Sequence, residues 1–531
     1  MIVERPLQTR PRSGYEQEGA KHGIFWFFLL ANAALILYLT LFPFDFVFAD
    51  APHPVEAVQH FNSEITAPYV IQDIPGNILL FIPFGFFCAL LLDRLTVRRG
   101  LASCVVLAAG FLLSFSVELL QFYLLRFSAW MDLAANAAGA GAGLLIYRLL
   151  GERLLEWAFN WTGKIFRQIP AAGFAALLVL WTGFIPILTL TLADRSSLKS
   201  WDPAYPLLVG NEQTGDRPWQ GVVSEIWIAD RALKESEVEA YFSDPDRDVF
   251  SGSSLIANLA FTTFTDGTAQ EGWILHGSPQ LGEYGLHTAG DAWLEIDPAA
   301  LPASSRIIET SAFTIGINLT SAAAEQWGPA RILSLSASPY QRNFTAGQEG
   351  ADLVIRLRTG LSEENGSRPE YIVPGVFSSS TPRRILIAFN GNDLRVYLDG
   401  PHNAYAFASI PQVNFFWIFP PAGVTRVRLN SQAVYIYRLL YAGLLFLPAG
   451  FISTAARRRA ILSGVKMNWT ATCALISTLL YGAALLFGGQ EPGRVLLDII
   501  FSLLFLRIAA WIAPKSGHDI VLQNTVGRSA V

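Results

Sequence analysis

The chain has 531 residues, 52% apolar and 15% charged, with 43 acidic against 38 basic side chains and a net charge of −5. Soluble domains carry about a quarter charged residues, so a wholly soluble protein is excluded and a polytopic membrane protein expected. The charge is unevenly spread: residues 194–435 hold 27 acids and 17 bases, leaving 16 and 21 to the rest. An acidic soluble domain therefore interrupts apolar, basic-flanked blocks, and an acidic domain argues against nucleic acid as a partner.

The first 22 residues are polar and basic, with no small-residue cleavage site after the first apolar run; an uncleaved anchor behind a cytoplasmic tail is expected. Eight stretches are long enough to cross about 30 Å of hydrocarbon: 23–42, 74–93, 101–122, 130–149, 171–192, 436–454, 469–489 and 493–513. The implied division is a tail (1–22), a four-helix membrane block (23–150), a linker with the fifth span (151–193), a soluble domain (194–435), three further spans (436–513) and a second tail (514–531). Arg94, Arg98 and Arg99, then Arg148, Arg153, Lys164 and Arg167, then Arg457, Arg458 and Arg459 fall on one side of this arrangement. The positive-inside rule makes that side cytoplasmic and residues 194–435 extracytoplasmic. The segment holding Trp157 and Trp161 reads either as a helix lying on the inner surface or as a polar linker.

Within the first block, three apolar spans carry polar groups: Asp73 and Asn77 in the second, Ser116, Glu118 and Gln121 in the third, Asp132 and Asn136 in the fourth, with Arg126 in the loop between the last two. Glu118 and Gln121, three apart, share a helix face, as do Asp132 and Asn136, four apart. All of them fall toward the outer ends of their spans. Ionisable groups cost several kcal/mol in a membrane unless they find partners, so an outward polar pocket is expected, with Arg126 near its mouth. Gly139, Gly141 and Gly143 would let a neighbouring helix come close.

Residues 25–150 resemble the VanZ-like family. The resemblance rests on Asn77-Ile-Leu-Leu-Phe81 with Pro83-Phe-Gly85, then Ser116, Glu118, Gln121, Arg126, Asp132, Asn136 and Gly139. It implies an envelope membrane protein with a link to glycopeptide-type resistance or envelope polysaccharide handling; it implies no reaction. Four readings of the pocket stand open. It binds an anionic lipid or lipid-linked sugar, with Arg126 on the phosphate. It does acid–base chemistry, with Glu118 and Asp132 as the pair. It carries protons or a solute. Or its polar contacts only fix helix packing.

Residues 200–430 read as short strands separated by turn residues: Leu255–Phe261, Ala292–Ile296, Phe313–Leu319, Ala330–Ser336, Leu353–Leu357, Arg384–Phe389 and Leu394–Leu398. That pattern predicts an all-β sandwich. The run Asn390-Gly-Asn-Asp-Leu394-Arg-Val-Tyr-Leu-Asp399-Gly400 resembles the laminin-G/concanavalin A-like jelly-roll superfamily. Leu208-Val-Gly210, Trp219-Gln-Gly221, Glu225-Ile-Trp227-Ile and Arg231-Ala-Leu233, followed by a helix over Glu235–Phe242, resemble that superfamily's usual tail. Here the tail comes first, which predicts a circular permutation; a small separate unit over 201–245 is the alternative. The resemblance implies glycan or protein binding, and Trp201, Trp219 and Trp227 are candidate sugar platforms. No loop spaces oxygen ligands for calcium, and no cysteine–histidine cluster suits zinc; no metal or cofactor is expected.

The fold class expected is thus an α-helical polytopic membrane protein of about eight spans with an inserted all-β jelly-roll sandwich. Its partners are the lipid bilayer and an envelope glycan or lipid-linked sugar, in a bacterial inner membrane. The alternatives are an integral-membrane enzyme acting on lipid-linked glycan and a membrane-anchored protein-interaction scaffold.

Overall fold

A computed structural model of the chain describes residues 13–48, 68–126, 129–243, 254–263, 270–429, 431–462 and 469–512. The chain divides into two compact units. One runs through Ile185 and resumes over Ala442–Gly482 and from Leu496; the other comprises Pro186–Tyr441 and Ala483–Val495.

The first five helices are α1 (Ser13–Leu41), α2 (Pro68–Arg94), α3 (Arg99–Tyr123), α4 (Trp130–Gln168) and α5 (Ala171–Asp194). Three short helices follow, α6 (Glu235–Ser243), α7 (Ala303–Thr310) and α8 (Pro411–Ile418), and then α9 (Val434–Leu462), α10 (Trp469–Phe487) and α11 (Pro492–Ile512). Among the described residues, seven helices are long and apolar enough to span a membrane, and an eighth apolar stretch, Ala471–Phe487, is shorter.

The expected break after the fourth span is absent. Helix α4 is 39 residues long, about 58 Å at 1.5 Å per residue, and runs past Gly151 and Gly163 because the next proline is Pro170. Trp157 and Trp161 lie one turn apart on this same helix, exposed and stacked at 6.1 Å, rather than on a separate surface-lying segment.

The closest packing in this unit is between α2 and α4. A Cβ at Gly85 would collide with the Ala140 carbonyl, one at Gly139 with the Ile78 carbonyl, and one at Gly143 with the Ile82 carbonyl. Backbone meets backbone there, which only glycine permits. Gly141 behaves differently from expectation: its added Cβ would meet the Leu107 side chain of α3 at an ordinary 3.4 Å. Midway along α4, Tyr147 donates to Asp93 at 2.8 Å, Arg94 pairs with Glu152 at 2.8 Å, and Arg148 donates to the Arg99 carbonyl at 2.9 Å.

The second unit is built on sixteen described strands: β1 (Leu207–Val209), β2 (Gly221–Ala229), β3 (Leu255–Ala260), β4 (Trp273–His276), β5 (Gln280–Gly282), β6 (Gly285–Thr288), β7 (Trp293–Ile296), β8 (Phe313–Ser321), β9 (Gln326–Ser338), β10 (Gln341–Gly350), β11 (Asp352–Leu357), β12 (Glu370–Val373), β13 (Arg383–Phe389), β14 (Asp393–Leu398), β15 (Ala404–Ala408) and β16 (Arg426–Arg428). One sheet runs β16-β12-β11-β10-β9-β1-β7-β4; the other runs β15-β14-β13-β8-β2-β6-β5, with β3 also on β2. Every pairing is antiparallel except β12 with β16.

Side chains of the two sheets meet in a shared core. Phe313 of β8 packs edge-on against Phe344 of β10 at 5.4 Å, and Tyr371 of β12 against Phe407 of β15 at 4.9 Å. The early segment is part of this core: β1 pairs with β7 and β9, and β2 with β3, β6 and β8. Residues 201–245 are therefore no separate small unit. Helix α6 follows β2, and its Val238 and Tyr241 pack with Trp227, Leu386 and Tyr397. All seven strands expected from alternation and turn signals are present; β10, whose sequence is mostly polar, carried no such signal.

Candidate functional site

Helix alternation in the first unit brings the end of α1, the start of α2, the end of α3 and the start of α4 together. Ser114, Glu118 and Gln121 follow one stripe of α3 at helical spacing, and Asp132 and Asn136 follow one of α4. Asn77 donates to Asp132 Oδ1 at 2.8 Å, which joins α2 to α4. Asn136 donates to the Ser114 hydroxyl at 2.9 Å, joining α4 to α3, and both are buried. The Asn136 carbonyl oxygen has no hydrogen-bond partner.

Glu118 is 2% exposed, and its Oε2 accepts the Ala129 N–H at 3.1 Å, just ahead of α4. Asp132 sits in the first turn of the same helix and is half-buried. Two carboxylates thus gather at one helix N-terminus, where free N–H groups and the helix dipole favour negative charge.

Arg126 has a task that the sequence did not reveal. Its Nη1 donates to the Thr40 carbonyl at 3.1 Å and its Nη2 to the Phe42 carbonyl at 2.6 Å. Gln121 donates to the same Thr40 carbonyl at 3.2 Å. The last carbonyls of a helix lack intrahelical donors, and a cation near a helix C-terminus is well placed to take them. Arg126 and Gln121 therefore terminate α1, with two guanidinium nitrogens turned to backbone oxygens.

One of the remaining expected members stands apart from the group. Ser116 is exposed and donates to the Leu112 carbonyl of its own helix at 2.8 Å; at this position its hydroxyl lies off the 114–118–121 stripe. The side chain of Asp73 lies outside the described residues. Members that sequence reasoning missed are Ser114 and the Thr40 and Phe42 carbonyls. Ser114 stands four residues before Glu118, so its shared face was legible; the carbonyls left no residue-type signal.

In the second unit, the tryptophans expected as sugar platforms are core. Trp201 is buried beside Phe313 at 5.9 Å and donates to the Arg358 carbonyl at 2.8 Å. Trp219 donates to Gln348 Oε1 at 2.9 Å with no exposed surface. Trp227 stands edge-on to Tyr241 at 5.1 Å. All three are buried, and Trp227 fills the space between its sheet and the following helix. Exposed aromatics in this unit include Trp327, Tyr284 and Tyr340.

Residues 25–151 match the VanZ/LLP1 family model. No curated protein matches the chain, and no solved structure does.

Proposed function

We propose that this is a cell-envelope membrane protein whose VanZ-like block holds the hydroxylated head of a glycolipid or lipid-linked sugar where α1 to α4 converge. The observation that carries this reading is the Asp132–Asn77 pair: a half-buried carboxylate and an amide, 2.8 Å apart, presented from two helices of one end. Carboxylates and amides in that arrangement accept and donate to sugar hydroxyls. Phosphate recognition by Arg126 has less support, since two of its nitrogens are taken up by the Thr40 and Phe42 carbonyls. The bases at the opposite end of these helices make that end cytoplasmic, so the polar end faces outward, with residues 194–435 extracytoplasmic in a bacterial inner membrane. The sandwich then binds an envelope carbohydrate, and its early β1 and β2 fit a permuted jelly roll.

A second reading is acid–base chemistry on such a lipid. Its support is the contrast between Glu118, 2% exposed, and the half-buried Asp132, since two carboxyls in unlike environments suit acid and base roles.

The test uses the full chain in detergent with three added lipids: a diglucosyl diacylglycerol, phosphatidylglycerol and plain diacylglycerol. The glycosylated lipid should raise Tm by several degrees and plain diacylglycerol should not, and Asp132→Asn should abolish the shift while its own lipid-free Tm stays near that of the parent. Equal responses to the glycosylated and plain lipids, or a full shift in Asp132→Asn, would overturn the reading. A response to phosphatidylglycerol alone would return the site to phosphate. Appearance of a cleaved or transferred sugar would favour the acid–base alternative.

A further inference from the structure

The sheet that contains β10 has two faces of opposite character. One carries Leu333, Leu335, Phe344 and Ala346 toward the shared core. On the other, the register aligns Ser334, Thr345 and Arg356 across β9, β10 and β11. Two register shifts add arginines to that polar face. Arg342 stands opposite Ser336 while Phe344 stands opposite Leu335, so one extra residue, Asn343, separates them. Likewise Gly347 stands opposite Arg331 while Ala346 stands opposite Leu333. Bulges re-aim side chains in this way; without them Arg342 would share the face of Phe344.

The polar face is buried. Arg342 has no exposed surface, Arg331 is 1% exposed, and Glu212, Ser334, Ser336 and Thr345 are fully enclosed. Its carboxylates are already committed. Glu212 accepts from Arg331 Nε at 3.3 Å and from the Ser336 hydroxyl at 2.5 Å. Glu370 accepts from Arg356 Nε at 2.6 Å and from Arg426 Nε at 2.8 Å, and Arg426 also reaches Glu349 at 2.9 Å. Arg331, Arg356 and Arg426 thus each have a carboxylate partner.

Arg342 is the one left over. Its Nε, Nη1 and Nη2 are buried and have no hydrogen-bond partner. Glu364, whose carbonyl accepts the Arg342 N–H, is itself exposed. Burial, and then the charges of Arg331 and Arg356, push the Arg342 guanidinium down to about 9, with Glu212 and Glu370 opposing. At neutral pH it still carries its proton. A buried charge with no hydrogen-bond partner is among the costliest features a fold can hold.

We propose that the polar face of this sheet holds one small oxyanion, a carboxylate or phosphate, on the Arg342 guanidinium. A planar guanidinium offers two parallel N–H groups to two oxygens, and one bound oxyanion would give the buried Arg342 nitrogens the acceptors they lack. The site is independent of the membrane-block reading and survives its failure.

The experiment uses full-length protein in detergent, exchanged into an anion-poor zwitterionic buffer. Equilibrium dialysis with labelled phosphate or acetate should find one saturable equivalent per chain, displaced by the other oxyanion and not by chloride at matched ionic strength. Tm should rise with the logarithm of oxyanion concentration above its dissociation constant, as binding to the folded state alone requires. Arg342→Met should lose the bound equivalent and the concentration dependence. It should also melt no lower than the parent in anion-poor buffer, because it removes a buried charge that has no hydrogen-bond partner. If Arg342→Met does not fold, Glu212→Gln adds a second unmet positive charge and should steepen the dependence. Absence of a bound equivalent for both oxyanions, an equal response in Arg342→Met, or selective binding of chloride would overturn the proposal; the first result would mean that buried water satisfies Arg342.

Discussion

Replacing Glu118 by alanine tests whether the polar cluster holds the first unit together. The Glu118 carboxylate accepts the Ala129 N–H at 3.1 Å, and the residue is 2% exposed. Truncation leaves that N–H without its acceptor, at a cost of about 1–3 kcal/mol. It also empties the space of the side chain beyond Cβ, for about another 1–2 kcal/mol where the helices cannot close up. The sum is about 3 kcal/mol, roughly a hundredfold in the folding equilibrium. Glu118→Gln keeps a carbonyl oxygen of the same reach, so it should cost under about 1 kcal/mol. Reversible unfolding of the purified full chain in mixed micelles, followed by tryptophan fluorescence, measures both. Glu118→Ala within about 0.5 kcal/mol of the parent would refute the reasoning, since surface-like tolerance would mean that nothing depends on the carboxylate. Equal, large losses in both variants would show that the charge itself matters, beyond the acceptor.

Two further outcomes follow from the packing and the ion pairs. Gly143→Val should lower Tm strongly, because its Cβ meets the Ile82 carbonyl and backbone cannot rotate aside; overpacking of this kind costs about 1–3 kcal/mol, whereas Gly141→Ala, facing only the Leu107 side chain, should be tolerated within a few degrees. Glu237 accepts two hydrogen bonds from Arg231, at 2.7 and 2.8 Å, and that guanidinium holds its carboxyl below the usual range. The pair's contribution is fully present above the unfolded glutamate value of about 4.3 and fades as pH falls through the lower folded value. A pH series of melting temperatures should fall across this window, and Glu237→Gln should flatten the fall.

Hydropathy and alternation by themselves determined the architecture. Spans such as 74–93 and 101–122 are recognisable because bilayer thickness demands a long apolar run. Strands such as Phe313–Leu319 are recognisable because a half-buried pleat demands period two. The helical stripe of Glu118 and Gln121 and the pair Asp132–Asn136 were legible for the same reason, since i, i+3 and i, i+4 spacing is a property of one helix.

What stayed hidden depended on partners distant in sequence. Nothing in Arg126 announces that its acceptors are the carbonyls of Thr40 and Phe42, because every residue has a carbonyl and only the tertiary fold says which are orphaned. Trp201, Trp219 and Trp227 have the composition of sugar platforms, and burial alone decided that they are core. Polar β10 gave no strand signal at all, since both its faces turned out to be covered. The placement of Arg342 was fixed by a one-residue bulge, and a shift of one position in a period-two ladder reverses the face of every side chain beyond it.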